Sequence, residues 1–186
     1  MIRKLAVLVG FCITSAGAFA ADVGGVKLDD TVSVGGQELV LNGAGIRTKV
    51  VFKVYVGSLY VPAKATSAAA VYAKAPRRIQ LNMLRDVAAD QMVEALVDGV
   101  KQANPPADVA AVKAETDQLA SVMKAIGQLK EGNVLTFDFV DGATKVSVNG
   151  MAKGSIPGEA FNKALTNAWL GDNAVQSDLK KAMLGG

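Results

Sequence analysis

The chain has 186 residues, of which 51% are hydrophobic and 20% are charged. This length and composition are typical of one globular domain with a sizeable core, and they exclude an intrinsically disordered chain. The sequence contains no histidine, and its single cysteine is Cys12. Imidazole metal ligands and serine–histidine triads are therefore excluded, and beyond Cys12 so are thiolate ligands and cysteine nucleophiles.

The first twenty residues, MIRKLAVLVGFCITSAGAFA, have the pattern of a secretory signal peptide. A basic start, Arg3-Lys4, precedes an apolar segment over residues 5–13, which is much shorter than the ~20 residues of a membrane-spanning helix. Ala18-Phe19-Ala20 places small residues where a signal peptidase cleaves, and Ala16-Gly17-Ala18 is a second possible motif. We therefore predict a signal peptide over 1–20 and a periplasmic or secreted domain over 21–186 that does not span the membrane.

Removal of the signal peptide changes the charge balance. The chain has 20 Lys and Arg against 17 Asp and Glu, and without Arg3 and Lys4 the basic count falls to 18, a net charge of +1. The remaining basic residues form no cluster that would suit a phosphate backbone, so we expect no nucleic-acid partner. No motif for a cofactor or a metal is present, and we expect neither. Nothing in the sequence indicates a protein partner.

The first predicted elements after residue 20 are strands. TVSV and QELVL, residues 31–34 and 37–41, are joined by Gly35-Gly36, and two glycines supply the positive φ values of a tight hairpin. Residues 42–45, NGAG, indicate a second break. The apolar run that follows is interpreted as one continuous strand up to Val61, where Pro62 ends it.

Helices are predicted in the middle of the chain. An alanine-rich helix over 63–75 precedes a strand over 78–85 with alternating apolar residues. Asp86 is the expected N-cap of a helix over 87–103, and a longer helix follows over 107–129.

The last part of the chain begins with the clearest hairpin signal. Residues 134–140 and 143–148 read as strands around an Asp141-Gly142 turn, and Asn149-Gly150 begins another turn. A helix is predicted from Pro157 to Leu170, ending at Gly171, and Ser177 is the expected cap of a last short helix. Because the strands cluster, the order predicts an α+β fold with an antiparallel sheet and helices on one face.

Four segments, taken in order, resemble the bacterial secreted chalcone-isomerase-like proteins: GAGIR at 43–47, VYVGSLYV at 54–61, IPGEAF at 156–161 and WLG at 169–171. The resemblance covers essentially the whole chain after residue 20. It implies a chalcone isomerase fold, with a large antiparallel sheet, a layer of helices packed on it and a ligand cleft between them.

The resemblance also implies candidate site residues. The plant isomerases hold a developing phenolate with an arginine, helped by a threonine, a tyrosine, an asparagine and a late Ser or Thr. In this sequence the arginine corresponds to Arg47 and the threonine position holds Tyr55. The tyrosine and the asparagine would fall within residues 86–98, a segment that contains neither residue type. The late Ser or Thr position falls near Ala168, which has no hydroxyl. These replacements count against chalcone cyclisation.

The fatty-acid-binding branch of the same fold holds a carboxylate with an arginine and a tyrosine, so Arg47 and Tyr55 are the predicted ligand-binding pair. A guanidinium matches a carboxylate with two hydrogen bonds, and a phenol adds a neutral donor. On one continuous strand, however, the eight-residue spacing would place them ~26 Å apart on the same face. They share a ligand only if the chain bends between them.

Three functions stay open from the sequence. The preferred hypothesis is a non-catalytic protein that binds a small amphipathic anion, such as a fatty acid, in a cleft between sheet and helices. The second is an isomerase or lyase in which Arg47 stabilises an oxyanion and Tyr55 or a water moves the proton. The third is a structural or interaction protein whose cleft is filled by its own side chains.

Neighbouring residues have simpler interpretations. Gly43 and Gly45 would allow a close approach at the wall of a site, but the preferred interpretation is that they supply turn geometry. Lys49 and Lys53 are expected on an exposed sheet face, and Trp169 is expected to be a core anchor that packs the last helices. Four acidic residues with helical spacing are interpreted as a cap and a solvated helix face: Asp86, Asp90, Glu94 and Asp98.

Overall fold

The structure, a computed structural model, describes residues 19–73 and 75–186, and within these ranges the chain forms two antiparallel sheets and six helices. The small sheet is a hairpin of β1 (Phe19–Val23) and β2 (Val26–Asp29). In the large sheet, seven strands pair in chain order, and every pair is antiparallel. They are β3 (Thr31–Val34), β4 (Gln37–Lys49), β5 (Phe52–Val61), β6 (Arg77–Met83), β7 (Val134–Val140), β8 (Ala143–Val148) and β9 (Met151–Pro157).

The helices form a layer on one face of the large sheet. They are α1 (Ala68–Tyr72), α2 (Ala89–Ala103), α3 (Pro106–Ala111), α4 (Lys113–Ile126), α5 (Glu159–Leu170) and α6 (Ser177–Met183). Alternate strand residues such as Leu59, Leu81 and Leu135 point into this layer and are fully buried. On the helix side, Met92, Leu96 and Leu165 complete the main core, as the 3.6-residue period of an amphipathic helix requires.

The opposite face of the sheet has a second, smaller core. The β1–β2 hairpin covers β3–β5 there and buries Leu28 against Leu39, Val56 and Tyr60. Val140 of β7 joins the same cluster, which shows that the sheet curls around it. The antiparallel sheet and the helix layer on one face confirm the predicted α+β architecture.

All three predicted turns are present. Gly35-Gly36, Asp141-Gly142 and Asn149-Gly150 each have two consecutive residues at positive φ, the conformation of a two-residue hairpin turn that follows the twist of its strands. Asn149-Gly150 leads into β9, a strand for which no prediction was made. Pro157, expected in the first turn of a helix, instead ends β9, and α5 begins at Glu159.

The long apolar run before Val61 is not one strand. It bends back at Val50-Val51, so residues 37–49 and 52–61 form the two arms of a hairpin. The break expected at 42–45 lies inside β4, where a bulge between Leu41 and Gly43 shifts the register without ending the strand. β-Branched residues at a turn give no local signal, which is why the pattern was misread.

Two of the longer predicted helices also need correction. Helix α2 begins at Ala89 with Ala88 at its N-cap, while the Asp86 carboxylate accepts the backbone N–H of Glu131 at 2.9 Å. The helix predicted over 107–129 is two helices, because the backbone leaves helical geometry at Val112.

The shorter elements differ from prediction at their ends. Ser177 is the first residue of α6 and not its cap, the alanine-rich helix is limited to Ala68–Tyr72, and β6 lies one residue earlier than predicted at its start. The predicted signal peptide lies outside the described residues, except that the backbone of Phe19 and Ala20 begins β1.

Candidate functional site

A cavity of about 480 Å³ opens between the β4–β5 hairpin and helix α2. Its wall is completed by α5 and by the loop after β6, and its volume lies within the range of ~300–1,000 Å³ typical of ligand pockets. The inner wall is apolar and aromatic: Val54, Leu81, Met92, Leu96, Ala168 and Trp169. The charged residues lie at the mouth.

Arg47 and Tyr55 line this cavity together. They are direct partners in the β4–β5 ladder, because the turn at Val50-Val51 folds one arm onto the other. Side chains of direct partners have Cβ atoms ~4.5–5.5 Å apart, against the ~26 Å of a continuous strand. A bulge between Arg47 and Thr48 accompanies the pair. The bend on which a shared ligand depends is therefore present.

Arg47 is half-buried, and hydrogen bonds to one of its guanidinium nitrogens hold the side chain in place. Its Nη1 donates to the Thr48 carbonyl at 2.9 Å and to Gln176 Oε1 at 3.1 Å. Gln176, just before α6, also accepts the Thr48 backbone N–H at 2.9 Å and donates to the Ile46 carbonyl at 3.0 Å. One side chain thus ties α6 to β4 and orients the guanidinium at the cavity wall.

Tyr55 is buried, and its hydroxyl accepts a hydrogen bond from Trp169 Nε1 at 2.9 Å. Burial raises the pKa of Tyr55 above its ordinary value, and this effect outweighs the lowering by the Trp169 hydrogen bond and by the positive charge of Arg47. At neutral pH the side chain is therefore a neutral phenol. Its proton remains available for donation to an anion, and it is a poor general base.

Two glycines allow α6 to approach close enough for Gln176 to reach Arg47. A Cβ at Gly43 would lie 2.1 Å from the Ala182 carbonyl oxygen, and one at Gly45 would lie 2.8 Å from Ala182 Cβ. Neither glycine has a positive φ. They permit close helix–sheet packing inside β4, so their interpretation as turn residues was wrong.

The mouth of the cavity has charges of both signs. Lys49 and Arg85 lie on the hairpin side, and Glu94 and Asp98 lie on α2. All four side chains are exposed, as the sequence predicted for the lysine and for the acidic helix face. The Arg85 guanidinium stacks over the Phe52 ring at 4.7 Å.

The sequence analysis predicted a role for some of these residues but not for others. Trp169 is a core residue, as expected, but its indole also lines the cavity and holds Tyr55. Gln176 was missed, because an isolated glutamine in a loop carries no pattern that indicates a role. Ala168 lines the cavity without contributing a polar side-chain group.

Comparison with protein families matches residues 20–185 to the family described as chalcone isomerase-like. The match covers most of the chain, which therefore belongs to this family. Among solved structures, the chain is similar to a fatty-acid binding protein from Arabidopsis thaliana, with a TM-score of 0.66 and 12% sequence identity over 86% of this chain and 92% of that one. At this identity the likeness shows the fold alone. A search of curated protein sequences found no match.

None of the six described helices combines the length and hydropathy needed to cross a bilayer. No three His, Cys, Asp or Glu side chains among residues 19–73 and 75–186 converge in a way that would hold a metal ion.

Proposed function

We propose that the protein is a non-catalytic carrier that binds a small amphipathic anion, with a fatty acid as the leading candidate. The observation that carries the proposal is the convergence of Arg47 and Tyr55 on the wall of an apolar cavity. A carboxylate would bind at this pair, and the hydrocarbon tail would lie along Met92, Leu96 and Trp169.

The contacts of Arg47 suit this role. Gln176 and the Thr48 carbonyl hold Nη1, and the Tyr55 phenol lies close enough to the guanidinium for Arg47 to lower its pKa. Because both hydrogen bonds use Nη1, they keep the plane of the group fixed, and a carboxylate beside Tyr55 would bind through the other two nitrogens. A pre-oriented guanidinium loses less side-chain entropy when the anion binds.

A protein with a similar fold also supports the fatty acid as a candidate ligand. The Arabidopsis thaliana protein with the same fold is a fatty-acid binding protein. The third alternative, a cleft filled by the protein's own side chains, does not agree with a cavity of about 480 Å³.

The enzyme alternative is less well supported by the chemistry of Tyr55. An isomerase or lyase would need a proton acceptor near Arg47, and burial keeps the phenol protonated at neutral pH. Arg47 would still be able to stabilise an oxyanion, so the test below includes a search for turnover.

We also propose that the protein acts outside the cytoplasm, because the pattern of residues 1–20 is that of a signal peptide. Cleavage after Ala20 would leave Ala21–Val23 of β1 to pair with β2. N-terminal sequencing of the protein recovered from a periplasmic extract tests this point, and a start at Met1 would contradict it.

Native mass spectrometry of the purified protein, followed by denaturing extraction and lipid analysis, tests the carrier. The variants are Arg47→Met and, as a control that also removes one positive charge, Lys124→Met on the exposed side of α4. We expect a co-purifying fatty acid in the wild type and the control, and loss of at least ~90% of it in Arg47→Met. Equal ligand in all three proteins, or conversion of an added candidate ligand into product, would contradict the proposal.

A further inference from the structure

The turn between β4 and β5 exposes a cluster of apolar side chains. Val50, Val51 and Phe52 are 89%, 77% and 57% exposed, the most exposed large apolar residues in the described ranges except Met151. Lys49 and Lys53 flank them and are exposed as well. We call residues 49–53 the hairpin tip. Val50 and Phe52 also line the cavity mouth, so the tip and the entrance share one surface.

The backbone at Val50 is unfavourable for the residue that occupies it. Its φ is +59°, in the left-handed region that β-branched side chains rarely adopt. The other non-glycine residues with positive φ in the described ranges are Asp141 and Asn149, residue types that tolerate this conformation. A valine at such a position adds exposed apolar surface at a cost in stability, which points to a use for that surface.

The charged side chains near the hairpin tip in the sequence are all positive. No acidic residue occurs between Glu38 and Asp86, a stretch that includes both arms of the hairpin. Arg85 is held against Phe52 and adds a positive charge beside the tip. The acidic residues Glu94 and Asp98 lie across the mouth on α2.

We propose that the hairpin tip docks on an anionic lipid bilayer and places the cavity mouth at the membrane surface. Val51 and Phe52 would enter the interfacial region while Lys49 and Lys53 contact anionic headgroups, the arrangement of a peripheral membrane anchor. A projecting turn with three apolar residues is too small for a stable protein–protein interface, which buries ~800 Å² on each partner. Docking is independent of what the cavity binds, because the tip residues are exposed in either case.

Co-sedimentation with vesicles tests the inference. We expect the protein to bind vesicles of 30% phosphatidylglycerol in phosphatidylethanolamine, and to bind phosphatidylcholine vesicles at least about tenfold more weakly. The double variant Val51→Ser/Phe52→Ser should lose about tenfold or more of its binding to the anionic vesicles. Met151→Ser, at the exposed turn between β8 and β9, is the matched control and should bind as the wild type does.

Val50→Asn separates docking from folding. Asparagine tolerates positive φ, so this variant should melt at a higher temperature than the wild type and yet bind the anionic vesicles more weakly. Native mass spectrometry on the single variant Val51→Ser keeps this test apart from the carrier test, because Val51 does not line the cavity and this variant should retain any ligand held at Arg47. No vesicle binding by the wild type, or equal binding by wild type and tip variants, would overturn the inference.

Discussion

Replacement of Tyr55 by phenylalanine tests the polar contact at the centre of the site. The change removes only the hydroxyl that accepts the Trp169 Nε1 hydrogen bond at 2.9 Å, and both residues are buried. The indole N–H would then lack a partner, which costs about 1–3 kcal/mol. For a domain of this size each kcal/mol lowers Tm by about 2–4 °C, so we expect Tyr55→Phe to melt about 2–12 °C below the wild type.

A double-mutant cycle separates this contact from general packing. Trp169→Phe loses indole packing and the same hydrogen bond, so the double variant should be less destabilised than the sum of the single variants, by about 1 kcal/mol. Urea unfolding followed by far-ultraviolet circular dichroism suits all the variants, because Trp169 is the only tryptophan of the chain and fluorescence would disappear with it.

Tyr60→Phe is the matched control for this experiment. The Tyr60 hydroxyl is buried, and within the described part of the chain it has no hydrogen-bond partner of acceptable geometry, although Ser58 lies close enough to lower its pKa. We expect Tyr60→Phe to leave the free energy of unfolding unchanged or to raise it, since no hydrogen bond is lost and an unpaired buried hydroxyl is removed. Strictly additive single and double variants, or equal costs for Tyr55→Phe and Tyr60→Phe, would refute the reasoning.

Three further predictions concern packing, orientation and pH. Gly43→Ala should destabilise the protein by about 1–3 kcal/mol in urea unfolding, because its Cβ would overlap the Ala182 carbonyl; wild-type stability would contradict the close approach. Gln176→Ala should weaken fatty-acid retention several-fold in native mass spectrometry while Arg47 remains, and unchanged retention would show that orientation is unimportant. Burial raises the pKa of Tyr60 and of Tyr72 to about 12, while unfolded tyrosines ionise near pH 10. The folded state therefore keeps these two phenol protons to a higher pH than the unfolded state does. The urea midpoint should be constant just below pH 10 and fall between pH 10 and 12. A midpoint that rises in that interval would contradict the prediction.

The sequence predicted those parts of the fold that have local causes. Gly35-Gly36 and Asp141-Gly142 are turns because glycine and aspartate accept positive φ, and helix α2 follows from its apolar stripe. The turn at Val50-Val51 could not be predicted, because valine favours extended backbone and the turn is maintained by the pairing of its two arms.

The candidate site was predicted only in part for the same reason. Arg47 and Tyr55 were selected through a family resemblance, but their proximity depends on the unpredicted turn. Trp169 and Gln176 contact them from 114 and 129 positions away in the chain, and contacts over such separations leave no trace in local patterns.

The contact between Gln176 and Arg47 has a consequence for the order in which the molecule is assembled. Each strand of the large sheet pairs with its predecessor in the chain, so the sheet needs no later segment to pair its hydrogen-bonding groups. Gln176 follows Arg47 by 129 positions and comes after every strand. When the chain emerges with its N-terminus first, the sheet can therefore form before the guanidinium is oriented. The proposed anion site would then be the last part to mature, and a bound anion would mark a chain in which Gln176 has reached Arg47.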